Sequence, residues 1–299
     1  MNDSLHRVIR EKFPAVETKL NEPLSLHTSF KIGGPASLVL FPGTTEELSG
    51  LYKLLLKERE RPIILGNGSN VLAPQKGLDR VIIITTRICG IKISGSFLTA
   101  DCGATLSRAG VLAASEGLSG LECLYGIPGT VGGALVMNAG AYGGEMKDVV
   151  LRSEFLNKDG ELCSYTGAEH GFGYRTSAFK AEDLILSTCL ELTESEPSLI
   201  RDKMNSLMEK RKTSQPLDMP SAGSAFKRPQ GGYAAELIER AGLKGFKIGG
   251  AEVSTKHAGF IINRGGASSD DVLKLIEHIQ KTVLNQFGIE LTPEVKILS

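Results

Sequence analysis

The stretch GIPGTVGGALVMNAGAYGGE, Gly126 to Glu145, carries seven glycines in its first 19 residues. A flexible linker of that glycine content would be rich in serine and poor in apolar residues. Here Ile127, Pro128, Val131, Leu135, Val136 and Met137 are interleaved, which predicts packed backbone rather than slack chain. Successive small residues leave N–H groups accessible, and such a run can hold an anion without any cationic side chain. Two shorter clusters share this character. One is Gly66-Asn67-Gly68-Ser69-Asn70, directly after the apolar run Ile63–Leu65; the other is TSFKIGG, Thr28 to Gly34. The three clusters occupy 31 positions and hold 11 of the 35 glycines, so much of the glycine surplus over the usual ~7% is local.

Familiar nucleotide fingerprints do not account for these clusters. The run from Gly66 lacks the third glycine of G-x-G-x-x-G and leads into Leu72-Ala73-Pro74 rather than a helix. No G-x-x-x-x-G-K-[ST] segment occurs, which excludes a P-loop. Any one cluster, taken alone, is equally well read as turns and bulges.

Composition narrows the class. The 299 residues are 41% hydrophobic and 23% charged, ordinary for a globular chain of two or three domains. Lys+Arg and Asp+Glu both number 34, so no global field draws in nucleic acid or an anionic membrane. The charged N-terminus has no signal-peptide core, and no apolar run approaches a membrane span. Five cysteines are scattered without a C-x-x-C pair, and five histidines without an H-x-x-x-H pair. That pattern predicts a cytoplasmic protein with reduced, mostly buried thiols and no metal.

Periodicity predicts an α+β chain without a strict βαβ rhythm. Helices are expected at 4–13, 44–60, 105–116, from Pro197 through Lys212, at 231–241 and at 269–287. Strands are expected at 62–65, 81–85, 97–101, 258–263 and 294–298, with antiparallel strands between 147 and 193. A boundary is placed near Ser195–Ser198.

The C-terminal half supplies polar candidates. Arg175 lies beside Tyr174 and two hydroxyl residues, and its planar fork suits a carboxylate or developing negative charge. Ser224 sits in Pro220-Ser-Ala-Gly-Ser-Ala-Phe-Lys227, and Glu294 falls in the closing apolar segment. On spacing alone each is more simply read as a surface ion pair, a turn serine and an edge carboxylate. Likewise the Lys210–Lys212 run reads as a solvated helix face, with Arg211 near enough to Gln215 to help bind phosphate. His27 and His257 read as structural histidines.

Taken in order, TSFKIGG, GNGSNVL, GIPGTVGGALVMNAGAYGGE, GYRTSAF, SQPLDMPSAGSAFK, HAGFIIN and TPEV resemble the segments of UDP-N-acetylenolpyruvoylglucosamine reductases, also called UDP-N-acetylmuramate dehydrogenases. The resemblance runs from about residue 25 to the C-terminus. It implies an FAD-binding domain of the vanillyl-alcohol-oxidase type, with subdomains at 1–70 and 71–197, followed by an α+β substrate-binding domain at 198–299. It implies non-covalent FAD held by Thr28, Phe30, Ile32, Gly33, Gly34, by Gly66, Asn67, Gly68, Ser69, Asn70, and by the third cluster. In that cluster the implied contacts are Gly126, Ile127, Pro128, Gly129, Thr130, Val131, Gly132, Gly133, Asn138, Ala139 and Gly140.

Arg175, Ser224 and Glu294 match the family's catalytic positions, and Tyr174, Gln215 and Lys227 are implied substrate contacts. The implied reaction is reduction of UDP-N-acetylglucosamine enolpyruvate by NADPH through the flavin, in peptidoglycan precursor synthesis. Ser224 would give the proton, while Arg175 and Glu294 would stabilise the charge. The short stretch after Phe179 resembles the compact second subtype. Three positions depart from the family pattern: Gln75 where an Asp-containing turn is usual, and Arg228 and Gly259 where Asn is usual. Competing readings are another FAD-dependent oxidase or dehydrogenase of this fold, and a non-catalytic flavin- or nucleotide-sugar-binding regulator.

Overall fold

The computed structural model describes residues 2–299. Its helices are α1 (Asn2–Lys12), α2 (Thr45–Lys57), α3 (Leu106–Ser115), α4 (Val131–Val136), α5 (Pro197–Ser214), α6 (Ala234–Arg240) and α7 (Ser269–Phe287). The backbone folds into two units, neither of them continuous in sequence. Unit 1 comprises the chain up to Asn21, Ser37–Asn67 and Arg80–Glu209; unit 2 comprises Glu22–Ala36, Gly68–Asp79 and Lys210–Ser299. The expected cuts at 70/71 and 197/198 therefore differ from the divisions the backbone makes. Two short N-terminal segments pack with the C-terminal residues, and neither apolar periodicity nor a linker composition marks them.

Beside two short two-stranded sheets, unit 1 is built on two larger ones. One runs in the order Glu17–Pro23, Pro35–Phe41, Leu78–Ile84, Ile63–Leu65, the last pair parallel. The other is antiparallel throughout, in the order Leu162–Thr166, Val150–Leu156, Leu184–Glu191, Phe97–Asp101, Ile91–Ser94. This second sheet matches the antiparallel structure expected between 147 and 193. The helix α2 starts at the N-terminal end of the expected 44–60 helix: the Thr44 hydroxyl accepts from the Glu47 N–H, and Leu48, Leu51, Tyr52 and Leu55 bury one face. Those side chains join Leu38, Leu40, Val81, Ile83 and Leu98 in one apolar cluster.

The helix α4 is absent from the sequence expectations. Gly132 and Gly133 lower its propensity, yet Thr130 caps it and its N-terminus is tied down, Val131 N–H to Ala104 O and Gly132 N–H to Cys102 O. A Cβ on Gly132 would lie 3.0 Å from the Cys102 side chain. Close approach to the neighbouring strand end is what the glycine permits.

Unit 2 carries an antiparallel sheet in the order Ser221–Ser224, Phe260–Asn263, Ala251–Val253, Lys247–Ile248. Its longest element is α7, opened by a Ser268/Asp271 capping box and closed by Gly288 at φ +68°. Val272, Leu275, Ile276, Ile279 and Val283 form its buried stripe, as the periodicity predicts. They share a core with Phe30, Ile32 and Leu72 from the N-terminal segments. The closing strand is shorter than expected: only Lys296–Ile297 pair, in parallel with Val71–Leu72. Glu294 precedes that strand and is half-buried, rather than enclosed within it.

Two smaller expectations are corrected. All five cysteines are free, but only Cys102 is buried; burial beside Asp101 pushes its thiol up to about 12, out of the reactive range. Arg211 is not part of a solvated face: it is buried, and its Nη1 donates to Gln215 Oε1 at 3.2 Å.

Candidate active site

The anion-binding reading of the glycine clusters rests on which backbone N–H groups lack an acceptor. Among the described residues, nothing accepts from the N–H groups of Gly66, Asn67, Gly68, Ser69 or Asn70. Five consecutive amides without an acceptor are unusual outside solvent-facing or ligand-facing loops. In unit 1 the Asn67 side chain donates to Pro128 O at 2.8 Å, and a Cβ on Gly66 would lie 2.2 Å from Thr130 Oγ1. The first two amides thus lie against Pro128–Thr130, where the Gly129 and Thr130 N–H groups also lack an acceptor. Acceptor-free amides this close together suit a pyrophosphate in a chain of zero net charge. The residues present therefore fit the diphosphate of a dinucleotide cofactor.

In unit 2 the same turn is braced by the Thr28–Gly34 loop. Thr28, Phe30 and Ile32 are buried, so their side chains stabilise the loop. The Thr28 hydroxyl donates to Ile32 O at 3.1 Å. Ser29 donates from N–H to Gly68 O at 3.1 Å and from Oγ to Ser221 O at 2.6 Å. A Cβ on Gly34 would meet Gln75 O at 2.2 Å, and one on Gly68 would meet His27 O at 2.1 Å. These glycines are required first by loop-to-loop packing. Ser29, the strap between three segments, went unassigned at the sequence level because its partners are 39 and 192 residues away.

Ser224 and Glu294 meet through the backbone of unit 2. The segment after Ser224 runs antiparallel to 292–294: Phe226 bridges Pro293, Glu294 N–H donates to Ala225 O at 2.8 Å, and Lys227 N–H donates to Thr292 O at 2.9 Å. Asn70 Nδ2 adds a bond to Glu294 O at 3.3 Å. Ser224 is exposed, and Lys227 and Gln215 are half-buried. At Gly259 the His257 imidazole folds back: the Gly259 N–H donates to His257 Nδ1 at 3.1 Å, and a Cβ would sit 3.0 Å from that ring. Arg228 lies over the Tyr233 ring at 4.3 Å.

Arg175 belongs to unit 1. It is the third residue of the turn Gly173–Thr176, whose ends exchange hydrogen bonds at 3.0 and 3.4 Å. Its φ is +55°, a region that costs a non-glycine residue roughly 1–2 kcal/mol. The guanidinium donates to Gly140 O at 2.9 Å and lies 5.1 Å from the exposed Tyr174 ring. Asn138 is wholly buried, and its side-chain amide is spent on Gly173 O, Glu145 Oε2 and the Lys147 N–H. Glu145, which carried no role in the sequence reading, is held below the usual carboxylate range. The Lys147 ammonium is the main cause, opposed by partial burial and aided by Asn138 and the Arg175 charge.

Comparison with known proteins fits this arrangement. Residues 36–166 match the family model "FAD binding domain", and residues 215–298 match "UDP-N-acetylenolpyruvoylglucosamine reductase, C-terminal domain". A UDP-N-acetylenolpyruvoylglucosamine reductase of Caldanaerobacter subterraneus subsp. tengcongensis is 46% identical over 99% of this chain and 97% of its own length. The chain belongs to the UDP-N-acetylenolpyruvoylglucosamine reductase family. A second member of that family, from Exiguobacterium sibiricum, is 47% identical over 93% of this chain and 92% of its own. The crystal structure of the Thermus caldophilus reductase superposes with a TM-score of 0.81 at 35% identity, covering 95% of this chain and 99% of that one. The reductase fold is thus α+β, an FAD-binding part joined to the family's own C-terminal domain. Among the described residues, no helix is long and apolar enough to cross a membrane, and no group of three or more His, Cys, Asp or Glu is arranged to hold a metal.

Proposed function

We propose that this chain reduces UDP-N-acetylglucosamine enolpyruvate to UDP-N-acetylmuramate with NADPH and non-covalent FAD, in the cytoplasm, as a step of peptidoglycan precursor synthesis. The observation that carries the proposal is the near-full-length relation to the reductases. The acceptor-free amides support FAD as the cofactor. FAD, when bound, supplies the chemistry of accepting a hydride from NADPH and passing it to the enolpyruvyl methylene carbon. The amides of Gly66, Asn67, Gly129 and Thr130 in unit 1 would hold its pyrophosphate. Arg175 binds the substrate carboxylate and stabilises the negative charge that develops beside it, the electrostatic contribution that is commonly the largest. Glu294 assists by orienting the charged groups. Ser224, exposed at its strand end, delivers the proton to the carbon next to the carboxylate. A serine hydroxyl is a weak acid, so this role requires a strongly basic, enolate-like acceptor. Tyr174, Gln215 and Lys227 bind the nucleotide parts of substrate or NADPH.

The test is direct. The purified chain should be yellow, release flavin on heating, and consume NADPH when the enolpyruvyl substrate is added. Ser224→Ala should leave NADPH-driven bleaching intact and slow substrate reduction at least 100-fold, within the roughly 10²–10⁴-fold range of positioned proton transfer. A colourless protein that takes up no added FAD would sink the reading, as would an NADPH oxidation indifferent to the substrate.

A further inference from the structure

Asn138 combines three properties that a loop residue rarely has together. It is 0% exposed, its φ is +40°, and both donors and the oxygen of its side chain are engaged. Nδ2 donates to Gly173 O at 3.0 Å and to Glu145 Oε2 at 3.1 Å, while Oδ1 accepts from the Lys147 N–H at 2.9 Å. An asparagine amide has two N–H donors, so this one has none left for a ligand. Gly173 O is the carbonyl that also accepts from Thr176 N–H to close the Arg175 turn. The Asn138 amide therefore grips the base of that turn. Two further bonds join the same pair of segments, Ser177 Oγ to Val136 O at 2.9 Å and Arg175 Nη2 to Gly140 O at 2.9 Å. Asn is also the residue besides Gly that best tolerates the left-handed backbone here.

We infer that Asn138 is a positioning residue of the substrate-reducing step: its amide locks the Gly173–Thr176 turn so that Arg175 keeps its left-handed conformation and meets the substrate carboxylate. This replaces the flavin-contact role expected for its side chain, and it rests on the proposed role of Arg175. No common side chain duplicates the function. Asp has the shape but no donor, Ala leaves Gly173 O and Glu145 short of a partner, and Gln is one methylene too long.

The test separates the two half-reactions of the holoenzyme in a stopped-flow instrument. In one, NADPH bleaches the flavin absorbance; in the other, the enolpyruvyl substrate restores it. Asn138→Asp keeps the shape and the bond from Lys147 N–H. It should retain wild-type flavin content and bleaching rate, yet restore colour about 100-fold more slowly at pH 8, as small misplacements of catalytic groups do. The rate should recover as pH falls, because a protonated carboxyl again donates to Gly173 O. Asn138→Gly, which is at ease at φ +40° and guards against a variant that fails to fold, should lose the same step with no recovery at low pH. Either change combined with Arg175→Ala should be no slower than Arg175→Ala alone. If Arg175→Ala slows colour recovery but the Asn138 variants do not, or if their losses multiply, the inference is overturned and the Arg175 role stands. Loss of flavin from the Asn138 variants would also overturn it, returning the residue to cofactor binding. An Arg175→Ala enzyme that reduces substrate at the wild-type rate would instead overturn the proposed role of Arg175, and this inference with it.

Discussion

Arg175 sits where glycine would be easier. Its φ of +55° stores roughly 1–2 kcal/mol, and the bond to Gly140 O returns about the same. Arg175→Gly should therefore change the melting temperature little, while colour recovery by the substrate slows about 100-fold or more, the range for losing a preorganised charge-stabilising group. Calorimetry beside stopped-flow rates checks both halves. A large loss of stability with normal substrate reduction would mark Arg175 as a structural residue. Strain held at a position of this kind is a pointer to function that a sequence does not display. The glycines show the converse. Their clustering is plain in the sequence, and the expectation of packed rather than slack backbone agrees with the close approaches at Gly34, Gly66 and Gly68. Which amides remain without an acceptor was not legible, because that depends on which carbonyl and hydroxyl oxygens other segments bring within reach.

At the scale of elements, periodicity located α2 and α7 well because that signal is local. α4 escaped because its stabilising bonds come from Cys102 and Ala104, remote in sequence. The antiparallel sheet of unit 1 holds a polar cluster of equal remoteness: Ser153 Oγ lies 3.0 Å from His170 Nε2 and 3.0 Å from Thr188 Oγ1, all three buried. The His170 ring stacks on Phe172, just before the Arg175 turn. Burial holds the His170 imidazole below its ordinary value, and burial does the same to His257 in unit 2. Below pH of about 6.5 the unfolded chain takes up protons on these rings that the folded chain resists. Stability should be intact above that value and fall progressively as pH drops through it toward the lowered folded-state values. The urea midpoint should thus be lower at pH 5.5 than at pH 7.5, and His170→Gln should make the dependence shallower. An unchanged dependence would remove His170 as a contributor.

At the scale of the molecule, the two units draw on interleaved segments. A fragment of residues 198–299 would lack Phe30, Ile32 and Leu72, three nearly or fully buried side chains of the unit 2 core. At about 1.5–3 kcal/mol for each buried side chain, their absence removes roughly 5–9 kcal/mol, comparable to the whole stability of a typical domain. The fragment should show no cooperative urea transition by circular dichroism, whereas one with residues 22–36 and 68–79 grafted on should recover it. A cooperative transition in the short fragment would show that unit 2 is autonomous from residue 198. By itself, the sequence determined the α+β class, the main helices, the glycine-bearing segments, and the family with its candidate residues. All of these depend on neighbours in the chain or on ordered motifs. Tertiary structure alone decided the composition of the units, the amides left without acceptors, the strained turn of Arg175 and the buried clamp of Asn138. Each of those is set between residues distant in sequence, by how buried polar groups must find partners once the chain has packed.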